Sequence, residues 1–184
     1  ADVEKHITQW FKDDGDVIVL LGETREELGG SEYMKQVHGI VAGEPPKIDL
    51  DAESNLVRAL LDASDRGILK SAHDLSEGGI ALSLAESCFT PENTLGITVE
   101  LSGAIREDAH LFSESQARAL VSLDDKNAGI LKTITESNNV PMSIIGRVGG
   151  TGFLIKGLID IPVSEARRAW AAGFENNLKS YAKA

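Results

Sequence analysis

The 184-residue chain has a single cysteine, Cys88, so no disulfide framework can staple it. Cys88 falls at helical spacing with Ile80, Ala81, Leu84 and Ala85, on an apolar stripe that predicts a buried, inert thiol rather than a nucleophile. A reducing cytoplasm fits that usage. Basic patches are also missing. Lysine and arginine number 18 against 29 acidic residues, the net charge is −11, and Arg167-Arg168 is the one basic pair. Such a balance excludes nucleic acid and acidic membrane surfaces as partners, since either needs concentrated positive charge. No apolar run reaches the length of a membrane span, and the polar start from Asp2 is unlike a signal sequence. An initiator methionine is absent too, because the chain opens Ala1-Asp2-Val3, which points to a fragment of something longer.

What is present is ordinary for a globular protein: 42% hydrophobic and 26% charged residues, in a length that suits one generous domain spanning residues 1–184. Asp16 to Leu21 is a β-rich run between Asp13-Asp14-Gly15 and Gly22-Glu23-Thr24. A helix is predicted from Ser31 through His38. Asp51 opens another that carries Leu56, Leu60 and Leu61 on one face and ends near Gly67. Ile68 and Leu69 suggest a short strand, followed by the helix of the Cys88 stripe. Pro91-Glu92-Asn93 reads as a loop, Ile97 to Leu101 and Ala119 to Leu123 as strands, and Ala128 to Ser137 as a helix. Val140 to Val148 and Phe153 to Ile155 read as neighbouring strands joined by a hairpin-like turn, Gly149-Gly150-Thr151-Gly152. Ala166, Trp170, Phe174 and Leu178 mark a terminal helix starting at Ser164. The mixture predicts an α/β (α+β) layered domain, a mixed β-sheet flanked by helices.

Several chemistries fail on inspection. His73, Asp74 and Ser76 evoke a hydrolase triad, but in an extended segment His73 and Asp74 point to opposite faces, and no Gly-x-Ser-x-Gly elbow surrounds Ser76. His6, His38, His73 and His110 are dispersed and lack zinc-ligand spacing. Gly150-x-Gly152 is followed by Ile155 and a strand instead of completing a dinucleotide fingerprint, and no Gly-Lys-Ser/Thr marks a P-loop.

Three polar clusters survive. In Ala72-His73-Asp74-Leu75-Ser76-Glu77-Gly78-Gly79, paired glycines precede a helix: either the Gly78 and Gly79 N–H groups are aimed at a cleft or domain interface, an anion site in outline, or the segment is a plain strand-to-helix turn with Ser76 as its N-cap. Glu23-Thr24-Arg25-Glu26-Glu27-Leu28-Gly29-Gly30-Ser31-Glu32-Tyr33 repeats the device, either as a second wall of the same cleft or as an independent helix start. Phe112-Ser113-Glu114-Ser115-Gln116-Ala117-Arg118 offers Glu114 and Gln116 as acceptors for ribose or amide donors, and Arg118 for a bidentate phosphate contact.

Taken in order with Ile145-Gly146-Arg147-Val148, these clusters resemble phosphoribosylformylglycinamidine synthase, the ATP-dependent amidine-forming synthetase of purine biosynthesis. The resemblance implies the fold of the C-terminal domain of aminoimidazole ribonucleotide synthetase. The His-Asp-x-Ser-Glu-Gly-Gly wording looks like the last such domain of a stand-alone synthetase subunit that works with a glutaminase and a small bridging subunit. Glu114, Ser115 and Gln116 match in type the family's substrate-binding Glu-Ser-Gln. In the first copy of the duplicated synthetase these positions contact formylglycinamide ribonucleotide; in the second they face a pseudosymmetric auxiliary nucleotide site. Asp74, Ser76, Glu77, Gly78 and Gly79, with Gly29, Gly30, Ser31 and Arg118, are the further substrate or nucleotide candidates. The family's catalytic histidine, ATP-contacting lysine and magnesium carboxylates belong to N-terminal domains of the same polypeptide. The resemblance therefore implies ATP or ADP and Mg2+ for the parent, with Asp74 and Glu77 open to an auxiliary magnesium role, and neither turnover nor tight cofactor binding for this chain alone. The alternative is a structural and docking module of the same synthetase, or the equivalent domain of another superfamily member. An exposed apolar face and a weak homodimer are expected either way.

Overall fold

A computed structural model describes residues 6–91 and 94–181. Its seven strands are β1 (Val17–Leu21), β2 (Ser71–Asp74), β3 (Ile97–Val99), β4 (Ala119–Leu123), β5 (Met142–Val148), β6 (Gly152–Ile155) and β7 (Ile159–Pro162). They form one sheet in the order β2-β4-β1-β5-β3-β6-β7, antiparallel throughout except for the β3–β6 pair. The helices are α1 (Glu32–His38), α2 (Leu50–Asp65), α3 (Gly79–Cys88), α4 (Glu107–Phe112), α5 (Ala128–Ser137) and α6 (Val163–Tyr181).

All five residues of β1 are buried, because helices cover both faces of the central sheet. Side chains alternate along a strand, so Ile18 and Leu20 enter one cluster with Ile80, Leu84, Cys88 and Leu111 of α3 and α4. Val17, Val19 and Leu21 enter the other, with Leu56 and Ala59 of α2 and Leu131 and Ile134 of α5. The helix starts follow cap chemistry. Ser31 accepts from the Met34 N–H, and Asp49 accepts from the Asp51 and Ala52 N–H groups.

The expected mixed-sheet class holds, with local corrections. Ile68 and Leu69 are buried but precede the strand, which is Ser71–Asp74 and contains His73 and Asp74 themselves. Gly149 to Gly152 is no hairpin, because β3 lies between β5 and β6. Gly96 makes that insertion possible: it exchanges hydrogen bonds with Gly149 and Gly150, and a Cβ there would sit 2.5 Å from the Gly150 carbonyl oxygen. β3 also ends at Val99 rather than Leu101. On α2, Leu56 is buried while Leu61 is 60% exposed, since positions five apart point about 140° away from each other on a helix. On α6, Trp170 and Leu178 are about half exposed and Ala166 packs on the core. The side chain of Phe174, the loop positions Glu92 and Asn93, and Ala1 to Val3 lie outside the described residues.

Candidate functional site

The segment between α4 and β4 is where the sequence clusters meet. Ser113 donates its hydroxyl to the Arg25 carbonyl at 2.6 Å, the Ser115 hydroxyl accepts from the Arg25 N–H at 3.1 Å, and the Glu114 N–H donates to the Glu27 carbonyl at 3.3 Å. Residues 113–115 are thus zipped onto residues 25–27. Ala117 then turns through a left-handed conformation, φ 54°, and donates its N–H to the Glu53 carboxylate of α2 at 2.8 Å. Gly22 permits the turn, for a Cβ there would lie 2.1 Å from the Ala117 carbonyl oxygen.

Glu114 is the junction. One carboxylate oxygen accepts from the Gly78 N–H and from the Glu32 N–H, each at 3.0 Å. Gly78 is the N-cap of α3 and Glu32 opens α1, so a single negative charge sits at two helix N-termini, where unpaired N–H groups and the helix dipoles favour it. The two Gly-Gly segments are therefore walls of one junction. The cleft-facing expectation for the glycines needs correction. Gly78 donates to Glu114 and Gly79 to the Ser76 carbonyl at 3.1 Å, so the protein's own groups take both donors. Ser76 is not the N-cap either; Gly78, at φ 79°, holds that place. Gly79 is needed for close backbone approach, because a Cβ there would meet the Leu111 and Ser113 carbonyl oxygens at 2.7 Å.

Arg118 is a second correction. It is only 3% exposed, and all three guanidinium nitrogens donate internally: Nε to the Ser115 carbonyl at 2.8 Å, one terminal nitrogen to the Thr24 hydroxyl at 3.0 Å and the other to the Ser113 carbonyl at 2.6 Å. Burial lowers its pKa to about 10, against the opposing pull of Glu27 and Glu114. Its fork fixes the 113–115 loop rather than meeting a phosphate. Burial acts to raise the Glu27 pKa, but the Ser115 hydroxyl, the Lys47 N–H and the cations Arg25 and Arg118 outweigh it and hold the carboxyl below its ordinary range. Thr24 and Glu27 belong to the cluster that ends at Tyr33, and Glu53 is the support that sequence reasoning did not single out. Glu53 lies 64 residues from its partner and carries no local signal.

The candidates divide by exposure. Asp74, Ser76, Glu77, Gln116 and Gly30 are exposed; Gly29, Gly78 and Glu114 are half-buried; Ser31, Gly79, Ser115 and Arg118 are buried. Between α1 and α3 runs a groove of about 540 Å³, floored by Tyr33, Ala81, Leu82 and Phe112 and rimmed by Glu32 and Glu77. Tyr33 and Phe112 stack at 4.6 Å and 5°.

His73 and Asp74 do meet, with Nδ1 and Oδ1 3.3 Å apart, contrary to the opposite-face argument. The triad still fails, because His73 Nε2 faces the Glu86 carboxylate at 3.1 Å and not a nucleophile. Cys88 is fully buried, and burial drives its thiol pKa upward. Among the described residues no group of three or more His, Cys, Asp or Glu could hold a metal ion. No helix among them is long and apolar enough to cross a membrane.

A mixed sheet with helices on both faces and a Gly-Gly helix start pinned by a neighbouring loop defines a class, and the chain belongs to it: residues 13–155 match the family described as AIR synthase related protein, C-terminal domain. More particularly, it is 39% identical over 173 residues to the phosphoribosylformylglycinamidine synthase subunit PurL of Caldanaerobacter subterraneus and 44% identical over 175 residues to that of Thermobifida fusca. Each match covers 92% of this chain but only 23% and 22% of the relative, so the chain spans about a quarter of those proteins. Among solved structures, Thermotoga maritima PurL complexed with FGAR is similar in fold, with a TM-score of 0.76 at 21% identity over 89% of this chain and 30% of that one.

Proposed function

We propose that this chain is the C-terminal domain of the ATP-dependent synthetase that converts formylglycinamide ribonucleotide, glutamine and ATP to formylglycinamidine ribonucleotide. The observation that carries the reading is identity of 39% and 44%, across nine-tenths of the chain, to synthetase subunits named for that product. In the parent reaction the substrate's amide oxygen is phosphorylated and leaves as phosphate, and ammonia from glutamine takes its place. The N-terminal domains of the same polypeptide carry ATP, magnesium and the catalytic groups; a glutaminase and a small bridging subunit supply ammonia.

Residues of this chain then have two roles. Gln116, Ser76, Asp74 and Glu77 are exposed beside the junction and offer an amide, a hydroxyl and carboxylates to the amide and ribose of a ribonucleotide. Glu114, Ser115, Arg118 and Gly79 position them, because their polar groups are engaged inside the protein. The docking-module reading draws on a different observation, the exposure of Val37, Val41, Ile48, Leu50 and Leu61 at 60–77% along α1, α2 and their connection. Amide NMR of the chain during separate titrations with the ribonucleotide and with ADP distinguishes the two. Saturable shifts confined to residues 74–78 and 114–117 are the expected result. No shift there at millimolar ligand overturns the ligand-facing role and leaves the docking module.

A further inference from the structure

His73 and Glu86 are not used by the proposed function, which takes only Asp74 from their surroundings. His73, on β2, is 11% exposed at its side chain and lies between two carboxylates, Asp74 at Nδ1 and Glu86 of α3 at Nε2. Glu86 is itself shared: its second oxygen accepts from the Trp170 indole N–H of α6 at 3.2 Å. Trp170 also packs its ring against Phe89 at 5.6 Å, at the end of α3. Glu86 thus ties the sheet edge and α3 to α6 through its two carboxylate oxygens.

A neutral imidazole has one N–H, which here serves Glu86; an imidazolium has two and carries a charge that also attracts Asp74. We propose that His73, Glu86 and Trp170 form a proton-controlled latch that fixes the C-terminal helix α6 to β2 and α3. With His73 neutral, its one N–H serves Glu86 through Nε2, while Asp74 lies 3.3 Å from Nδ1 without a hydrogen bond. Asp74, 80% exposed, turns to water readily, while Glu86, 26% exposed, keeps an ordinary hydrogen bond. Uptake of a proton from solvent makes the Nε2–Glu86 bond charge-assisted and adds an attraction between the ring and the Asp74 carboxylate, so Glu86 is held more firmly under Trp170.

The β4 neighbour of His73 across the ladder is the apolar Leu120. The groove beside β2 adds Glu53 and Arg118, whose hydrogen bonds go to Ala117 and to Ser113, Ser115 and Thr24. On α6 the nearest cations in sequence are Arg167 and Arg168, and on α3 the one carboxylate is Glu86.

The test follows the Trp170 indole N–H by nitrogen-proton NMR in a Trp10→Phe background, where it is the only indole, between about pH 5 and 8, the span over which histidine changes charge. The indole signal is expected to move through a single transition that coincides with the transition of the His73 ring nitrogens, and the transition is expected to vanish in His73→Gln. Asp74→Asn, at an exposed position that leaves folding intact, is expected to shrink the change without abolishing it. An indole signal that stays fixed while His73 titrates overturns the latch, and so does an unchanged transition in His73→Gln. Should His73→Gln fail to fold, the wild-type coincidence of the two transitions decides alone.

Discussion

Gly79→Ala isolates what the second glycine of the Gly-Gly pair contributes. Gly79 has φ +62°, which for a residue with a Cβ costs about 1–2 kcal/mol. The new methyl would also stand 2.7 Å from the Leu111 and Ser113 carbonyl oxygens and 2.8 Å from the Phe112 carbonyl carbon. All three are backbone atoms at the end of α4, so no rotamer change relieves them and the chain leading into Glu114 must move; overpacking of this kind costs about 1–3 kcal/mol. The sum is about 2–5 kcal/mol. Gly30→Ala is the internal control, since Gly30 has a similar φ of +72° with nothing within 4 Å of its would-be Cβ, leaving only the conformational cost of about 1–2 kcal/mol. Urea denaturation of both variants and the parent gives the two values directly. The Gly78 amide, which donates to Glu114, should shift in Gly79→Ala and stay in place in Gly30→Ala. Equal destabilisation by the two changes refutes the reasoning, because it means that α3 and α4 approach loosely enough to admit a methyl.

Three other perturbations follow from the packing. Arg118→Met keeps much of the side-chain volume but leaves the Ser113 and Ser115 carbonyls unpaired, and should cost about 2–4 kcal/mol by urea denaturation, with Arg118→Lys recovering less than half because an ammonium cannot reproduce the fork. Lys70 donates to Asp13 and to the 4%-exposed Asp16, hydrogen bonds that raise its pKa from 10.5. A raised lysine contributes fully below its unfolded value and loses the contribution as pH climbs through the folded one. Lys70→Met should therefore destabilise by about 1–2 kcal/mol near neutrality, a gap that closes in strongly alkaline buffer; a gap independent of pH there would contradict the pairing. Leu50, Val57 and Leu61 repeat at i, i+7 and i+11 on α2 and are 76%, 52% and 60% exposed, which should give a concentration-dependent dimer that strengthens with salt as the −11 charge is screened. Sedimentation of the parent and of Leu61→Lys tests this, and a clean monomer at every salt concentration rules it out.

The parts of the fold legible in the sequence were those whose signal is local. β1 is a run of five apolar residues between turn signals, and α1 has its serine cap. The failures were non-local. Nothing in Gly149 to Gly152 announces that β3, some fifty residues earlier, lies between the two flanking strands; the clue is Gly96, whose missing side chain matters only once its neighbour is known. α4 and β7 are too short, at six and four residues, to show a period. At the site, the types of residue were legible and their partners were not. Glu114 reads as an acceptor in any context, but whether a ligand or the Gly78 and Glu32 amides supply the donors depends on how α1 and α3 converge.

That convergence changes what the three motifs mean. A carboxylate at a helix N-terminus holds the same ground that a phosphate would, and it brings its own charge, so an incoming anion meets both a filled site and repulsion from Glu114, Glu77 and Asp74. Anion binding at α3 would have to displace Glu114 and break its bond to α1 as well, since the same oxygen serves both helices. The junction is better suited to neutral donors, the hydroxyls and amide N–H groups of a ribonucleotide, which carboxylates and the Gln116 carbonyl oxygen can accept without competing for the helix ends. A phosphate on the same ligand must find its cations elsewhere, because Arg118 has none of its nitrogens left uncommitted and the net charge of the chain is −11. On the function proposed above, the division of labour follows from the charges: the junction would take the uncharged part of a phosphorylated substrate, and the cations for its phosphate would come from outside the Arg118 fork.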